Sequence, residues 1–260
     1  MVQSAKSHGA DDADAACLAS DAGRLLLDLR KGIGTALSPE EARRAGDRLS
    51  HEFLAAAIAK GHPDDGFLSE EGADSTERLG RDRVWIVDPL DGTREFGEPP
   101  RTDWAVHVCL AVDGRAMVGA VALPARDMVL STAKPLQASE RKPGPLRIAA
   151  SRTRPPEFVG ELADKLSAEL APMGSAGVKA MAVVLGDVDV YVHAGGQYEW
   201  DSAAPVAVAR HAGLHVSRVD GSALVYNQAN PWLPDLLICR PENAAMVFDA
   251  LKDISLQPRG

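Results

Sequence analysis

Long apolar runs are missing from this 260-residue chain, and no stretch approaches the roughly 20 residues that a membrane-spanning helix needs. Residues Met1 to Asp14 are small, polar and acidic, without the basic start and apolar core of a secretory leader, so a cytoplasmic location is expected. Cysteine is scarce. Cys17, Cys109 and Cys239 are odd in number and far apart, as expected of reduced structural thiols. Positive charge is in the minority: 28 Lys and Arg against 37 Asp and Glu give a net charge of −9, which argues against a general duplex nucleic-acid surface. An anionic small molecule can still bind an acidic protein where metal ions and a few local bases invert the field. Internal repeats and low-complexity tracts are absent as well.

What is present is enough apolar residue, 45%, for a substantial core, as one large domain or two smaller ones. The pattern centres on Trp85-Ile86-Val87-Asp88-Pro89-Leu90-Asp91-Gly92-Thr93-Arg94-Glu95-Phe96. The apolar run predicts a buried strand, and Asp-Gly-Thr predicts a turn opening a helix. Asp88 and Asp91 then stand at the strand's carboxyl end, where ligands collect in α/β sheets. Two converging carboxylates repel unless a cation neutralises them. Pro89 lacks an N–H and stiffens the turn, which favours an outward carbonyl at Leu90. Three oxygen ligands in four residues suit Mg²⁺. Gly92 and Thr93 offer N–H groups to an anion such as phosphate. By themselves Asp-Pro and Asp-Gly are also ordinary turn pairs.

Around this centre, helical periodicity runs from Asp11 to Gly34 with Leu18, Ala22, Leu25, Leu26 and Leu29 on one face. A second helical face, Leu49, Phe53, Leu54, Ala57 and Ile58, ends at Gly61, with Asp47 placed as its N-cap. Ser38 and Glu41 form a capping box around Pro39, which predicts an extra turn before it. Strands are expected at Trp104 to Val112, Ala116 to Leu123, Leu146 to Ala150, Gly186 to Val192 and Leu236 to Cys239. Helices are expected from Pro156 to Leu170, from Asp201 (as N-cap) through Arg210, and from Pro241 to Asp253. His107, among apolar neighbours, reads as a core histidine. Residues 134 to 145, rich in charge, Pro and Gly, are the linker candidate, dividing the chain into halves 1–143 and 144–260.

The central stretch resembles the signature W-[IV]-[IV]-D-P-[IL]-D-G-[ST] of the magnesium-dependent, lithium-sensitive sugar-phosphatase (inositol monophosphatase) superfamily. Trp200-Asp201-Ser202-Ala203-Ala204-Pro205 is similar to its second signature, W-D-[STV]-x-[AG]. Thr93-Arg94-Glu95-Phe96 resembles the T-[KR]-E-F form found in CysQ-type 3′(2′),5′-bisphosphate nucleotidases, whereas inositol monophosphatases more often carry T-x-N-F. Ala194 stands where inositol monophosphatases usually carry a glutamate.

The resemblance implies an α/β (α+β) layered αβαβα sandwich whose first half carries most of the metal ligands and whose second half forms the substrate wall. It implies metal ligands at Glu70 (from Ser69-Glu70-Glu71), Asp88, Leu90 through its carbonyl, Asp91 and Asp201, holding two or three Mg²⁺ ions. Asp47, Thr93 and Glu70 take catalytic roles, with Thr93 directed towards Asp47 to activate water. Phosphate and substrate fall to Gly92, Thr93, Ser151, Arg152, Lys179 and Tyr198. Ser151-Arg152-Thr153 is similar to an S-R-[ST] element of the nucleotidases. Ser175-Ala176-Gly177-Val178-Lys179 is similar to G-S-x-x-K, with Ser175 for the glycine and Ala176 for the serine; Lys179 otherwise reads as a solvated helix lysine. The implied activity removes the 3′-phosphate of 3′-phosphoadenosine 5′-phosphate, and extends to the 5′-phosphosulfate in sulfate assimilation. The same metal core would serve an inositol monophosphatase, a fructose-1,6-bisphosphatase or a non-catalytic metal-binding scaffold. The expected partner is a phosphorylated nucleotide, without nucleic acid or membrane, and a homodimer is compatible with the pattern.

Overall fold

In the computed structural model residues 8–153 and 155–256 are described, so the start of the Met1 to Asp14 stretch lies outside the described residues. In chain order the elements are α1 Gly9–Arg30, α2 Pro39–Gly61, β1 Gly66–Ser69, β2 Arg83–Asp91, α3 Thr93–Phe96, β3 Ala105–Val112, β4 Arg115–Leu123 and β5 Met128–Ser131. Then come β6 Arg147–Ser151, α4 Glu157–Leu166, β7 Glu169–Met173, α5 Ala176–Val184, β8 Val190–Tyr198, α6 Glu199–His211, β9 His215–Ser217, β10 Trp232–Cys239 and α7 Pro241–Leu251. They build two five-stranded sheets, ordered β1-β2-β3-β4-β5 and β7-β6-β8-β10-β9. The first is antiparallel except for β1 against β2; in the second, β6 runs parallel to both β7 and β8.

Side-chain alternation along the strands generates five layers. On β2, Trp85 and Val87 face α1 and α2, while Val84 and Ile86 face α5 and α6. On β8, Tyr191 faces the central helices and Val190 and Val192 face α4 and α7. The order is therefore α1/α2, first sheet, α5/α6, second sheet, α4/α7, the αβαβα sandwich. Each large apolar side chain sealed between layers contributes about 1.5–3 kcal/mol relative to exposure. One core cluster draws on both sheets, so the halves share a hydrophobic interior. The segment between them, residues 132–146, has no regular structure but is laid against the central helices, with Ala138 N–H donating to Ala212 O at 3.0 Å and Ser139 N–H to Val184 O at 2.8 Å.

Several elements differ from expectation for physical reasons. α1 buries Ala22 and Leu26 of the expected face completely and Leu18 and Leu29 partly, but its deepest row also takes in Ala15, Ala19 and Gly23, because small residues let the helix lie close on the sheet. The capping box at Ser38 does not add a separate turn. It starts one continuous helix, so Asp47 lies inside α2 and caps nothing. The buried row of α2 is Ala42, Gly46, Ser50, Leu54 and Ile58, at strict four-residue spacing. α4 stops at Leu166 because Ser167 turns left-handed (φ 50°), and Leu170 belongs to edge strand β7. β8 starts later than expected and runs through Gly195 and Gly196, which adopt φ of 82° and 91° next to a register shift in β10. Tyr198 is the N-cap of α6, and Asp201 is the third helical residue; its carboxylate accepts Tyr198 N–H at 2.7 Å.

Candidate active site

On a regular strand, residues three apart point to opposite faces. Asp88 and Asp91 escape this because the β2–β3 register shifts between them, where Pro89 cannot donate to the ladder. Asp88 pairs with His107 across the strands, and Asp91 with Ala105. As a result Asp88, Asp91 and His107 each present a potential ligand atom within 4.8 Å of one another, all three buried. The Asp88 carboxylate accepts Leu90 N–H at 3.1 Å. Leu90's carbonyl accepts the Thr93 hydroxyl at 3.0 Å, which leaves a second lone pair on that oxygen.

Asp91 is tied to the start of α5. Its Oδ1 accepts Ala176 N–H at 3.1 Å; its Oδ2 accepts Gly177 N–H at 2.7 Å and the Ser175 hydroxyl. Ser175 is the N-cap of α5 and is held at φ 56°, ψ 133°, a conformation that favours glycine. The glycine of the resembled motif would adopt it freely; here the serine's hydroxyl holds Asp91 and also accepts Val178 N–H at 3.0 Å. Gly92, at φ 84°, is equally constrained: a Cβ there would meet Asp103 O at 3.1 Å and Ser175 Cβ at 3.2 Å.

Three further carboxylates face this pair from other elements. Glu70 is exposed as a residue, but loss of solvent around its carboxyl and then the charges of Asp201, Asp91, Glu71 and Asp47 push it up to about 7. Burial and Glu71 push Asp47 up to about 6, partly offset by the hydrogen bond from Thr93. Burial and Asp91 push Asp201 up to about 6. Asp88 is raised well above the carboxylate range by burial, Glu70, Asp91 and Asp201. Asp91 goes the other way: burial works to raise it, but His107, Lys179 and Ser175 together bring it down to about 2. A set of hard oxygen donors that resist sharing negative charge is the donor chemistry a divalent cation stabilises. These residues fit a metal.

Most residues anticipated from the sequence meet here, with notable exceptions. Asp47 Oδ1 and the Thr93 hydroxyl lie 3.2 Å apart. Beside Asp91 and Asp201 opens a cavity of about 380 Å³ lined by Ser151, Ser175, Lys179, Tyr191, His193 and Gln197 among others. Lys179 is not a solvated helix lysine. It is 8% exposed, its ammonium donates to Ser175 O at 2.7 Å, and it sits 5.5 Å from the centre of the Tyr191 ring. Burial lowers its pKa against the pull of Asp91 and Asp201. Arg152 and Tyr198 are not among the residues lining the cavity. One Arg152 nitrogen, Nη2, is shared by Glu95 at 2.6 Å and Glu98 at 3.0 Å, and exposed Tyr198 stacks on Trp200 with ring centres 4.8 Å apart.

His107 was read from sequence as a core residue, and its burial is complete. Yet its Nδ1 lies 3.1 Å from Trp200 O and its Nε2 3.2 Å from Asp91 Oδ2, so it belongs to the site. Burial disfavours its charged form, but Asp91 and the Trp200 carbonyl outweigh that and raise its pKa. The signal was present in the pairing of β3 with β2, which needs the register and not the motif alone.

The profile of the inositol monophosphatase family matches residues 19–255. A 3′-phosphoadenosine 5′-phosphate phosphatase from Mycobacterium leprae is 47% identical over 256 residues, spanning 94% of this chain and 94% of its own length. A protein of the same name from Mycobacterium bovis is 50% identical over 245 residues, 90% of each chain. Among solved structures, CysQ from Bacteroides thetaiotaomicron superposes with a TM-score of 0.79 at 24% identity, covering 90% of this chain and 98% of that one, a likeness of fold. No described helix is long and apolar enough to cross a membrane. The buried carboxylate pair on β2, the sandwich around it and the profile match over nearly the whole length agree: this chain belongs to the inositol monophosphatase family, whose members are metal-dependent.

Proposed function

We propose that this chain is a Mg²⁺-dependent phosphomonoesterase that removes the 3′-phosphate of 3′-phosphoadenosine 5′-phosphate, giving AMP and phosphate, and that it also accepts the 5′-phosphosulfate. The observation that carries the substrate class is buried Lys179 in the cavity beside Asp91 and Asp201. A cation held away from water in an acidic protein suits a substrate with a second phosphate. The Mycobacterium leprae and Mycobacterium bovis relatives, matched over most of their length, support the same class.

In this reading Glu70, Asp88, the Leu90 carbonyl, Asp91 and Asp201 hold two or three Mg²⁺ ions. Bound Mg²⁺ supplies Lewis-acid stabilisation to the phosphate oxygens. The chain's own residues do the rest. Asp47, whose Oδ1 lies 3.2 Å from the Thr93 hydroxyl, takes the proton of the attacking water through that hydroxyl. Gly92 and Thr93 N–H groups hold the phosphate. Lys179 and Ser151, which line the cavity, receive the distal phosphate. The divide near residue 143 separates the half carrying most ligands from the half carrying the substrate wall.

Phosphate release from 3′-phosphoadenosine 5′-phosphate, inositol 1-phosphate and fructose 1,6-bisphosphate, each with and without Mg²⁺, tests this. The nucleotide should lead in kcat/KM by at least tenfold, and only with Mg²⁺. A preference for inositol phosphate would refute the substrate, and turnover without any divalent ion would refute the site.

A further inference from the structure

We propose that His107 is a positioning residue that aligns Asp91 and Asp201 for a divalent cation by linking β3 to the first turn of α6. The inference rests on the metal-site reading above. His107 is completely buried and stands opposite Asp88 in the β2–β3 pairing. Its Nδ1 lies 3.1 Å from the carbonyl oxygen of Trp200, the residue before Asp201. That oxygen can only accept, so the ring donates from Nδ1, and this fixes the ring's orientation. The opposite nitrogen, Nε2, lies 3.2 Å from Asp91 Oδ2, and Asp88 Oδ2 is 4.0 Å from Nδ1.

The start of α5 is shaped around this ring. Gly177 donates its N–H to the same Asp91 oxygen at 2.7 Å, and a Cβ at Gly177 would run into Nε2. The ring, the Gly177 amide and the Ser175 hydroxyl therefore crowd Oδ2 and set the rotation of the carboxylate. Nε2 has no well-aligned hydrogen bond among the described residues, and a buried polar atom in that state is costly. A histidine used only to fill space would have been served better by leucine. Its position is explained by a nitrogen held against a ligand carboxylate, the arrangement that orients metal ligands from behind.

The test uses the full chain, stripped of metal and titrated with Mn²⁺, with free Mn²⁺ read by electron paramagnetic resonance. His107→Asn keeps a donor near the Nδ1 position and loses the nitrogen facing Asp91; His107→Gln reaches the Nε2 position. Gly177→Ala displaces the ring without altering it. Affinity should fall by about tenfold or more in His107→Asn and in Gly177→Ala. His107→Gln should recover most of the loss. At saturating metal, the KM for the nucleotide should stay near wild type in all three. Wild-type Mn²⁺ affinity in both His107→Asn and Gly177→Ala would overturn the proposal. So would equal losses in Asn and Gln, or loss of the folded state in both, since either would make His107 a core residue only. If wild type itself shows no saturable Mn²⁺ binding, the metal-site reading fails first and this inference with it.

Discussion

Replacing Lys179 by methionine keeps most of the buried stem and removes the charge. Little structure should be lost, because Ser175 O keeps its bond from the Lys179 backbone N–H at 3.3 Å when the ammonium bond at 2.7 Å disappears. The fold should hold or gain slightly, since burial depresses the lysine's pKa and the charged form is therefore a cost to the folded state. The functional effect is larger. A charge-assisted hydrogen bond to the distal phosphate is worth about 1.5–3 kcal/mol, which is roughly tenfold to 150-fold in kcat/KM. Lys179 also helps keep Asp91 ionised, so its removal should weaken turnover of every substrate to some degree. Comparison of 3′-phosphoadenosine 5′-phosphate with 3′-AMP, which lacks only the 5′-phosphate, cancels that common part. In a phosphate-release assay the ratio of the two kcat/KM values should fall by at least tenfold in Lys179→Met. A ratio within about twofold of wild type would refute the assignment of Lys179 to the second phosphate.

Asp91→Asn should cut turnover by orders of magnitude, with the circular dichroism spectrum unchanged. Near wild-type activity would sink the metal core, and Ca²⁺, which accepts looser and larger shells, should bind there without supporting turnover. Glu70, Asp47 and Asp201 are raised to about 7, 6 and 6, so without metal the folded state holds more protons than the unfolded chain between about pH 4 and pH 7. Stability of the metal-free protein should therefore fall as pH rises through that window, and Mg²⁺ should restore it at pH 7.5; a Tm in EDTA that rises from pH 5 to pH 7.5 would contradict the crowding of these carboxylates. Gly119→Val should cost about 1–3 kcal/mol by overpacking, because a Cβ at this position would meet Ala207 Cβ at 2.7 Å and Ala204 O at 2.8 Å. Its Tm should drop by several degrees, and an unchanged Tm would mean the central layer yields more easily than its spacing implies.

Legibility of the site in the sequence follows contiguity. Asp88, Leu90, Asp91, Gly92 and Thr93 lie within one turn, so their types and spacing carry their own chemistry. Glu70 and Asp201 were reached through resemblance, since a glutamate pair in a loop and an aspartate at a helix start have common structural explanations. Asp47 reads as a cap because Gly46 before it looks like a break, whereas the helix opened by the Ser38–Glu41 box runs unbroken past it. His107 and the grip of α5 on Asp91 are not legible in the motif: they depend on which strand face and which helix end meet across 84 to 93 residues of chain. The layered fold came from the resemblance, and its physical basis shows only in the structure, where β2 and β8 bury side chains on both faces beneath covering layers.

Asp91 belongs to the first sheet, while three of the groups that bind it, from Ser175, Ala176 and Gly177, belong to the helix layer between the sheets. The first sheet and the central helices thus cannot part without tearing the cluster open. A cation captured there should act as a rivet between these two layers, slowing hydrogen exchange only for amides that open when they separate. Fraying at α7 or at edge strand β5 should be indifferent to it.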